Sequence, residues 1–170
     1  MAASKHRKVA ARFAGLRPAT PKTSQIAASA SLKAGTKCEV RLCTAMQRLG
    51  LTFTTNVTSL PGRPDLVFER ERIAVFADGD FWHGRNLAHR LERLSKGHNS
   101  EYWIRKIQSN VARDRRVRRQ LRALGWHVIR IWESEINSHL DRATARILKA
   151  LRSVAAVSSE AQTADTTGSE

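Results

Sequence analysis

The sequence predicts an α/β fold in which a small central mixed β-sheet is flanked by helices. Two β-prone runs, 66–68 and 73–77, are separated only by a short charged turn, and this spacing is typical of a hairpin. A further β-prone run, 126–132, follows a long helical stretch that ends at Gly125. Strands interrupted by amphipathic helices favour a layered fold, because each element buries its apolar face against another layer.

The first half of the chain begins with a helix and continues with strands. The helix is predicted over 36–49, where Thr36 is a suitable N-cap and Glu39 follows at the spacing of a capping box. Residues 51–57 are β-prone and predict the first strand. The Pro- and Gly-containing stretch 59–64 predicts a turn that leads into the hairpin.

The second half is dominated by helices. Residues 84–99 lack periodicity and predict a surface loop that can include one short helix. Longer helices are predicted over 100–124 and 136–154. The apolar stripe of the first of these is interrupted by Asn110 and Asp114, with basic side chains around them.

The composition limits the function. The 170 residues include 30 Lys and Arg against 15 Asp and Glu, a net charge of +15, which indicates nucleic acid first and an anionic membrane surface second. There is no run of 18 apolar residues, so a membrane-spanning helix is not expected. Cys38 and Cys43 point in different directions on a predicted helix, which indicates reduced thiols in a cytoplasmic protein.

The two ends of the chain differ from its middle. Residues 1–35 contain seven Lys or Arg and no Asp or Glu, which predicts a basic disordered arm, either laid along a DNA backbone or solvated as a tail. An organelle transit peptide is a third interpretation of this composition. Residues 155–170 predict a disordered polar tail, so the folded domain is expected over 36–154.

Acidic side chains are brought together by the predicted hairpin. Asp65 precedes its first strand and Asp78 closes its second, so both carboxylates are expected at the same end of the hairpin. Carboxylates gathered in so basic a chain favour a hard cation such as Mg²⁺ beside a phosphate. His83 follows shortly after, and an imidazole can transfer protons near neutral pH.

Four segments resemble one nuclease family. They read SLPGRPDLVF (59–68), DGDFWHG (78–84), YWIRKIQSNVARDRR (102–116) and LGWHVIRIWE (124–133). Together they resemble the very short patch repair (Vsr) endonucleases of the PD-(D/E)xK superfamily, over about 36–151. The resemblance implies a restriction-endonuclease-like core and a monomeric, Mg²⁺-dependent enzyme. It also implies that the enzyme cuts one strand of double-stranded DNA, 5′ to the thymine of a T:G mismatch.

The same resemblance implies roles for the acidic residues and the histidine. Asp65 would bind the metal, the backbone carbonyl of Ala77 would add a second oxygen, and Glu39 would assist metal and water binding. His83 would act as general acid or base. Asp78 stands where the family usually has a second active-site histidine, and it is expected to be a catalytic carboxylate or, alternatively, a strand-end cap. A capping glutamate is the alternative for Glu39.

The resemblance also implies which residues contact DNA. Phe81 and Trp82 would wedge into the base stack, with core packing as the alternative. Lys106 and Asn110 would face the mismatched pair, with a solvated helix face as the alternative. Basic residues near these motifs complete the expected DNA contacts: Arg63, Arg113 and Arg116.

The family's structural zinc is not expected here. The places of its usual cysteine and histidine ligands are taken by Asp80, Arg85, Leu87 and Ser134. Asp80 either joins the metal site as a ligand or fills the corner that the zinc would occupy.

Two other functions remain open from the sequence. The first is a related endonuclease with site or structure specificity, of the restriction or mobile-element (homing) type. The second is a catalytically silent DNA-binding protein on the same scaffold. The nuclease interpretations place the protein in the cytoplasm, associated with the nucleoid.

Overall fold

A computed structural model describes residues 35–97 and 99–166 of the chain. The helices are α1 Lys37–Arg48, α2 Leu87–Ser95, α3 Ser100–Ala123, α4 Glu133–Ser138 and α5 Leu140–Thr166, and the strands are β1 Thr54–Thr55, β2 Leu66–Phe68, β3 Ile73–Asp78 and β4 His127–Trp132. This order confirms the predicted α/β class. The predicted basic arm lies outside the described residues, apart from Gly35.

The four strands form one mixed sheet in the order β1-β2-β3-β4. β2 pairs antiparallel with both β1 and β3, whereas β3 and β4 are parallel. Leu66 lies opposite Val75, and the N–H of Asp65 donates to the carbonyl of Val75 at 2.9 Å. Asp65 and Asp78 therefore lie at the same end of the hairpin, as the sequence predicts.

The sheet separates two hydrophobic layers, because side chains alternate between its faces along each strand. Ile73 and Val75 of β3 belong to the larger core, together with buried residues of α1, α4 and α5. Ala74 and Phe76 pack on the other face with Leu121 of α3. Asp78 has the same parity as Phe76, so its carboxylate belongs to the face covered by α3 and points away from the larger core.

Two predicted boundaries in the second half are wrong. The single helix expected over 136–154 is divided, because His139 has the non-helical angles φ −145° and ψ 58°. α5 also continues to Thr166, through most of the tail predicted to be disordered over 155–170. Residues 155–166 contain no proline or glycine to end the helix.

The first strand is shorter than predicted. It covers only Thr54–Thr55, because Asn56 adopts a left-handed conformation with φ 53° and ends the pairing. Among the described residues no helix has the length and hydropathy needed to cross a bilayer. Cys38 and Cys43 are unbridged, as predicted, and burial raises the pKa of both thiols.

Candidate active site

Glu39 is fixed at the start of α1 by a reciprocal cap. The Thr36 hydroxyl accepts from the Glu39 N–H at 3.4 Å and donates to Oε1 of Glu39 at 2.8 Å. Oε2 accepts from the N–H of Gly35 at 2.7 Å. The predicted N-cap at Thr36 is therefore confirmed, although Glu39 accepts from the Gly35 N–H and the Thr36 hydroxyl instead of the Thr36 N–H of a capping box. The cap holds a buried carboxylate at the edge of the sheet end that carries Asp65.

Asp65 has a strongly perturbed carboxyl group. Its Oδ2 accepts from the Ala77 N–H at 2.7 Å. Burial, together with the negative charges of Glu39 and Asp78, raises the pKa of Asp65 to about 7, against the opposing effect of that hydrogen bond. A half-buried carboxyl group surrounded by like charges is a position that a cation would stabilise.

Ala77 presents its backbone to the same point. In a strand the N–H and C=O of one residue point to the same edge, so the carbonyl of Ala77 is directed toward Asp65 as its N–H is. The paired part of β2 begins at Leu66, one residue after Asp65. The site therefore offers a carboxylate and a carbonyl oxygen side by side, with Glu39 as the nearby acidic group.

This donor set fits Mg²⁺ better than a softer metal. It consists of oxygen atoms, which are the ligands of hard cations. Mg²⁺ is commonly bound by one or two carboxylates, with waters and substrate phosphate completing its coordination. Asp65 and Ala77, with Glu39 beside them, are the residues that would hold it.

His83 lies on the α3 side of the sheet, in contact with two acidic residues. Its Nδ1 atom is 2.6 Å from Oδ2 of Asp114 and 3.4 Å from Oδ1 of Asp78. The shorter contact requires a hydrogen on Nδ1, which Asp114 accepts. Nε2 is then the ring nitrogen that can take or release a proton, and the Asp114 contact sets its direction.

Arg130 of β4 joins the two acidic residues. Its guanidinium donates to both oxygens of Asp78, with Nη2 at 2.5 Å from Oδ1, and the same Nη2 lies 3.1 Å from Oδ2 of Asp114. Burial would raise the pKa of Asp114, but the hydrogen bond from His83 and the charge of Arg130 lower it below its usual range. Asp114 therefore stays ionised beside His83.

Sequence reasoning assigned no role to Arg130 or Asp114. A signal existed for each, because Asp114 interrupts an apolar helical stripe and Arg130 interrupts the apolar run of β4. Asp78, predicted to be catalytic, is 3% exposed and has both oxygens bound by Arg130. Asp78 is therefore placed as an ion-pair partner of Arg130 and His83.

Asp80 connects the loop after β3 to the start of α4. Its Oδ1 accepts from Nη1 of Arg85 at 3.1 Å and from the Ser134 hydroxyl at 3.0 Å. Its Oδ2 accepts from the Ser134 N–H at 3.2 Å. Of the two alternatives for Asp80, the structure favours the second, since three residues at the expected zinc positions bind one another.

The predicted wedge residues pack against α3. The rings of Phe81 and Trp82 are 4.9 Å apart and nearly perpendicular, and Trp103 lies 5.9 Å from Trp82. All three are half-buried. The Nδ2 atom of Asn110 donates to the backbone carbonyl of Trp82 at 3.1 Å, and Lys106 lies one turn before it on α3. Both alternatives for Phe81 and Trp82, insertion into DNA and core packing, are therefore compatible with this packing.

The predicted arginine contacts lie on the surface. Arg63 is exposed in a left-handed turn with φ 55°, and Arg116 is exposed on α3. Arg113 is also exposed and contacts Oδ1 of Asp114 at 3.2 Å. These positions are accessible to a polyanion.

Comparisons with known proteins agree on one family. Residues 19–89 match the family described as DNA mismatch endonuclease Vsr. A type II nicking enzyme of Neisseria meningitidis serogroup C is 36% identical over 133 residues, which cover 78% of this chain and 88% of that enzyme. A type II nicking enzyme of Haemophilus parainfluenzae is 36% identical over 78% of this chain and 93% of its own length. The DNA mismatch endonuclease Vsr of Escherichia coli is 40% identical over 98 residues, 58% of this chain and 61% of that protein.

Proposed function

Because the chain belongs to the Vsr family and is a DNA endonuclease, we propose that it nicks one strand of duplex DNA at a T:G mismatch in a Mg²⁺-dependent reaction. The observation that carries this proposal is the pairing of His83 with Asp114 at the end of the sheet that also presents Asp65. A directed imidazole beside an acidic oxygen site is what phosphodiester hydrolysis requires.

The residues divide the chemical work between them. A divalent cation at Asp65 and Ala77 would neutralise charge on the scissile phosphate and make a water molecule more acidic. His83 takes or delivers a proton at Nε2, because its Nδ1–H is held by Asp114. Arg130 balances the negative charges of Asp78 and Asp114, and its charge helps to hold the pKa of Asp114 below its usual range.

Cleavage of one strand is consistent with a single site in a monomer. The names of the two Neisseria and Haemophilus relatives describe nicking enzymes. One site of the kind built by Asp65 and His83 acts on one phosphodiester bond at a time. We expect such an enzyme to work in the cytoplasm, associated with the nucleoid.

Preference for a mismatch follows from the cost of opening the base stack. Insertion of Phe81 and Trp82 would separate neighbouring bases, and this costs least where the bases are already mispaired. Asn110 lies beside Trp82 and carries both a donor and an acceptor for a base edge. Lys106 would add positive charge one turn away.

A site-specific nicking enzyme is the second candidate function. Asn110 donates one amide hydrogen to the Trp82 carbonyl, and a purely structural contact would make the same bond. In that case the wedge would be fixed by α3, and specificity would come from other contacts. A catalytically silent DNA-binding protein is the third candidate, and it differs from both in requiring no chemistry at His83.

One assay separates these candidates. Duplexes that contain a T:G pair, other mismatches or only Watson–Crick pairs are incubated with the protein in Mg²⁺ or in EDTA. Nicking of the T:G duplex in Mg²⁺ alone supports the proposal. Equal nicking of paired duplexes at one sequence supports the site-specific enzyme, and tight binding without nicking supports the silent protein.

A further inference from the structure

A cavity of about 270 Å³ lies between the segment that follows Phe81 and helix α2. Its wall includes Arg85, Asn86, His89, Arg90 and Arg93, and the ring of Phe81 forms an apolar part of the lining. None of the lining residues in the described part of the chain is acidic. The cavity is therefore a concave, strongly positive surface that adjoins a predicted wedge residue.

Arg90 provides an unsatisfied donor at this cavity. Its guanidinium carbon lies 5.0 Å from the centre of the Phe81 ring, so the ring fixes the orientation of the planar group. Its Nε atom is buried and has no hydrogen-bond partner among the described residues. Because this Nε is enclosed by protein, a ligand in the cavity would meet the terminal nitrogens of the guanidinium, which are also donors.

Arg85 forms a rigid second part of the wall. Its Nη1 atom is held 3.1 Å from Oδ1 of Asp80, and its guanidinium lies 5.9 Å from the centre of the Trp132 ring. A side chain held from two directions loses little conformational entropy when it binds a ligand. Arg93, one helical turn after Arg90 on α2, is exposed and adds a third positive charge.

We propose that this cavity binds a backbone phosphate of the DNA strand into which the wedge inserts. Its lining carries three guanidinium groups, which are donors only, and a phosphate offers acceptor atoms and negative charge. A neutral nucleobase would leave these positive charges without a counter-charge. The inference rests on the proposed function in one respect, that Phe81 enters DNA.

The position of the cavity links phosphate binding to the reaction. Phe81 and His83 are two residues apart, which is at most about 7 Å of chain. Measured along the axis of a duplex, that distance is about two base-pair steps. A phosphate held beside Phe81 thus fixes the register of the strand relative to His83, within a few nucleotides of the bond that is cut.

The test combines a protein variant with chemically modified DNA. Equilibrium binding of duplexes is measured in EDTA, each with one neutral methylphosphonate in place of a phosphate at successive positions. On unmodified DNA, Arg90→Gln is expected to lower affinity about 5- to 20-fold and to reduce the slope of log K against log salt by about 1. On the duplex whose neutral linkage falls in the cavity, the variant and the wild type should bind equally.

Two further proteins make the result interpretable. Arg142→Gln changes an exposed arginine on α5, on the opposite side of the sheet, and any loss of affinity should persist on every modified duplex. Arg93→Gln alters an exposed residue of the cavity and serves if Arg90→Gln lowers thermal stability. On the duplex whose methylphosphonate abolishes the effect of Arg90→Gln, Arg93→Gln should also bind as the wild type does.

The outcomes separate this inference from the proposed function. Wild-type affinity and salt slope for both cavity variants would overturn it, as would a loss that no single methylphosphonate removes. Binding needs no cleavage, so a protein that shows the expected pattern but nicks no DNA would leave the cavity assigned and refute the endonuclease mechanism. If the protein nicks T:G duplexes while both cavity variants bind normally, the endonuclease mechanism is supported and the phosphate-binding cavity is refuted.

Discussion

The Nδ1 atom of His83 lies 2.6 Å from Oδ2 of Asp114, a residue 31 positions later on helix α3. The contact crosses from the loop after β3 to a helix that packs on the sheet. It fixes the ring of a residue whose backbone belongs to a loop. The direction of Nε2, and so the geometry of proton transfer, depends on α3 being docked.

Replacing Asp114 by asparagine should slow cleavage without weakening DNA binding. The amide keeps the shape of the carboxylate but cannot stabilise a protonated His83 by charge, so we expect about a 10- to 100-fold loss in single-turnover rate. The pH dependence of the rate should change as well, whereas Kd should stay within about twofold. Asp141→Asn, at an exposed position at the start of α5, is the control. An unchanged rate and pH profile would show that the contact is only structural.

Removing the guanidinium of Arg130 should destabilise the fold. Arg130→Met leaves the buried carboxylate of Asp78 without its partner, which typically costs about 3–5 kcal/mol. The double variant Asp78→Asn, Arg130→Met should recover most of this loss, and urea unfolding measures both. Lys96→Met, which breaks the exposed pair with Glu92, should cost less than about 0.5 kcal/mol. Additive effects of the two buried changes would contradict the pairing.

Asp65 makes stability depend on pH and on metal. Its pKa of about 7 lies above the ordinary value of 3.8, so the folded state binds its proton more tightly, and the stability this gives is lost as the pH rises from about 4 through 7. Asp65→Asn should therefore raise the melting temperature at pH 8 without metal, by an amount equivalent to at most about 4 kcal/mol. The difference should vanish near pH 3.

The effect of Mg²⁺ on melting temperature is a second test of Asp65→Asn. At pH 8, Mg²⁺ should raise the melting temperature of the wild type, because it binds the ionised form of Asp65. It should leave Asp65→Asn unchanged, and that variant should not nick DNA. Equal stabilisation of both proteins would place the cation elsewhere.

The hydrogen bonds that Asp80 accepts should make the fold independent of zinc. Asp80 joins Arg85 and Ser134 by three hydrogen bonds, at positions that the family's usual zinc ligands take in the resemblance. We expect no stoichiometric zinc by elemental analysis of the purified protein, and no change in melting temperature with a chelator. Asp80→Ala should cost about 1–3 kcal/mol, because Arg85 and Ser134 lose their acceptor. One zinc per chain would refute the assignment.

Local patterns predicted the parts of the site that lie close together in the chain. The hairpin follows from two β-prone runs and a short turn, so the common position of Asp65 and Asp78 was predictable, as was the Thr36–Glu39 cap. The division of the last helix at His139 was not, since neither glycine nor proline marks it.

The hydrophobic pattern of the sequence could not predict contacts between distant elements. Arg130 meets Asp78 because β4 runs parallel to β3 with Asp78 opposite Trp132, and this register is set by the crossover through α3. Asn110 meets the Trp82 carbonyl for the same reason. Periodicity identified the polar interruptions in α3, but only the packed sheet shows that Asp114 faces Arg130 of β4.

The last prediction concerns how specificity is shared between Asn110 and Trp82. A base-edge hydrogen bond contributes roughly 1–3 kcal/mol of discrimination, so Asn110→Ala should reduce the preference for T:G over T:A about tenfold or more. Trp82→Ala removes the ring but keeps the carbonyl that Asn110 binds, so it should lower the rate on every substrate, and unequally on paired and mispaired DNA. Single-turnover cleavage of both duplexes by both variants measures this, with Gln108→Ala at an exposed position of α3 as the control.

The hydrogen bond between Asn110 and Trp82 makes the two effects separable. Asn110→Asp has nearly the same shape but cannot donate to the carbonyl, so it should loosen the wedge segment and also lose the donor offered to the base. If Asn110 only holds the wedge, both Asn110 variants should slow T:G and T:A cleavage by the same factor. If it also contacts the base, the T:G reaction should suffer more. Full discrimination by Asn110→Ala would mean that α3 is structural here, and the site-specific nicking enzyme would then be the better description of the protein.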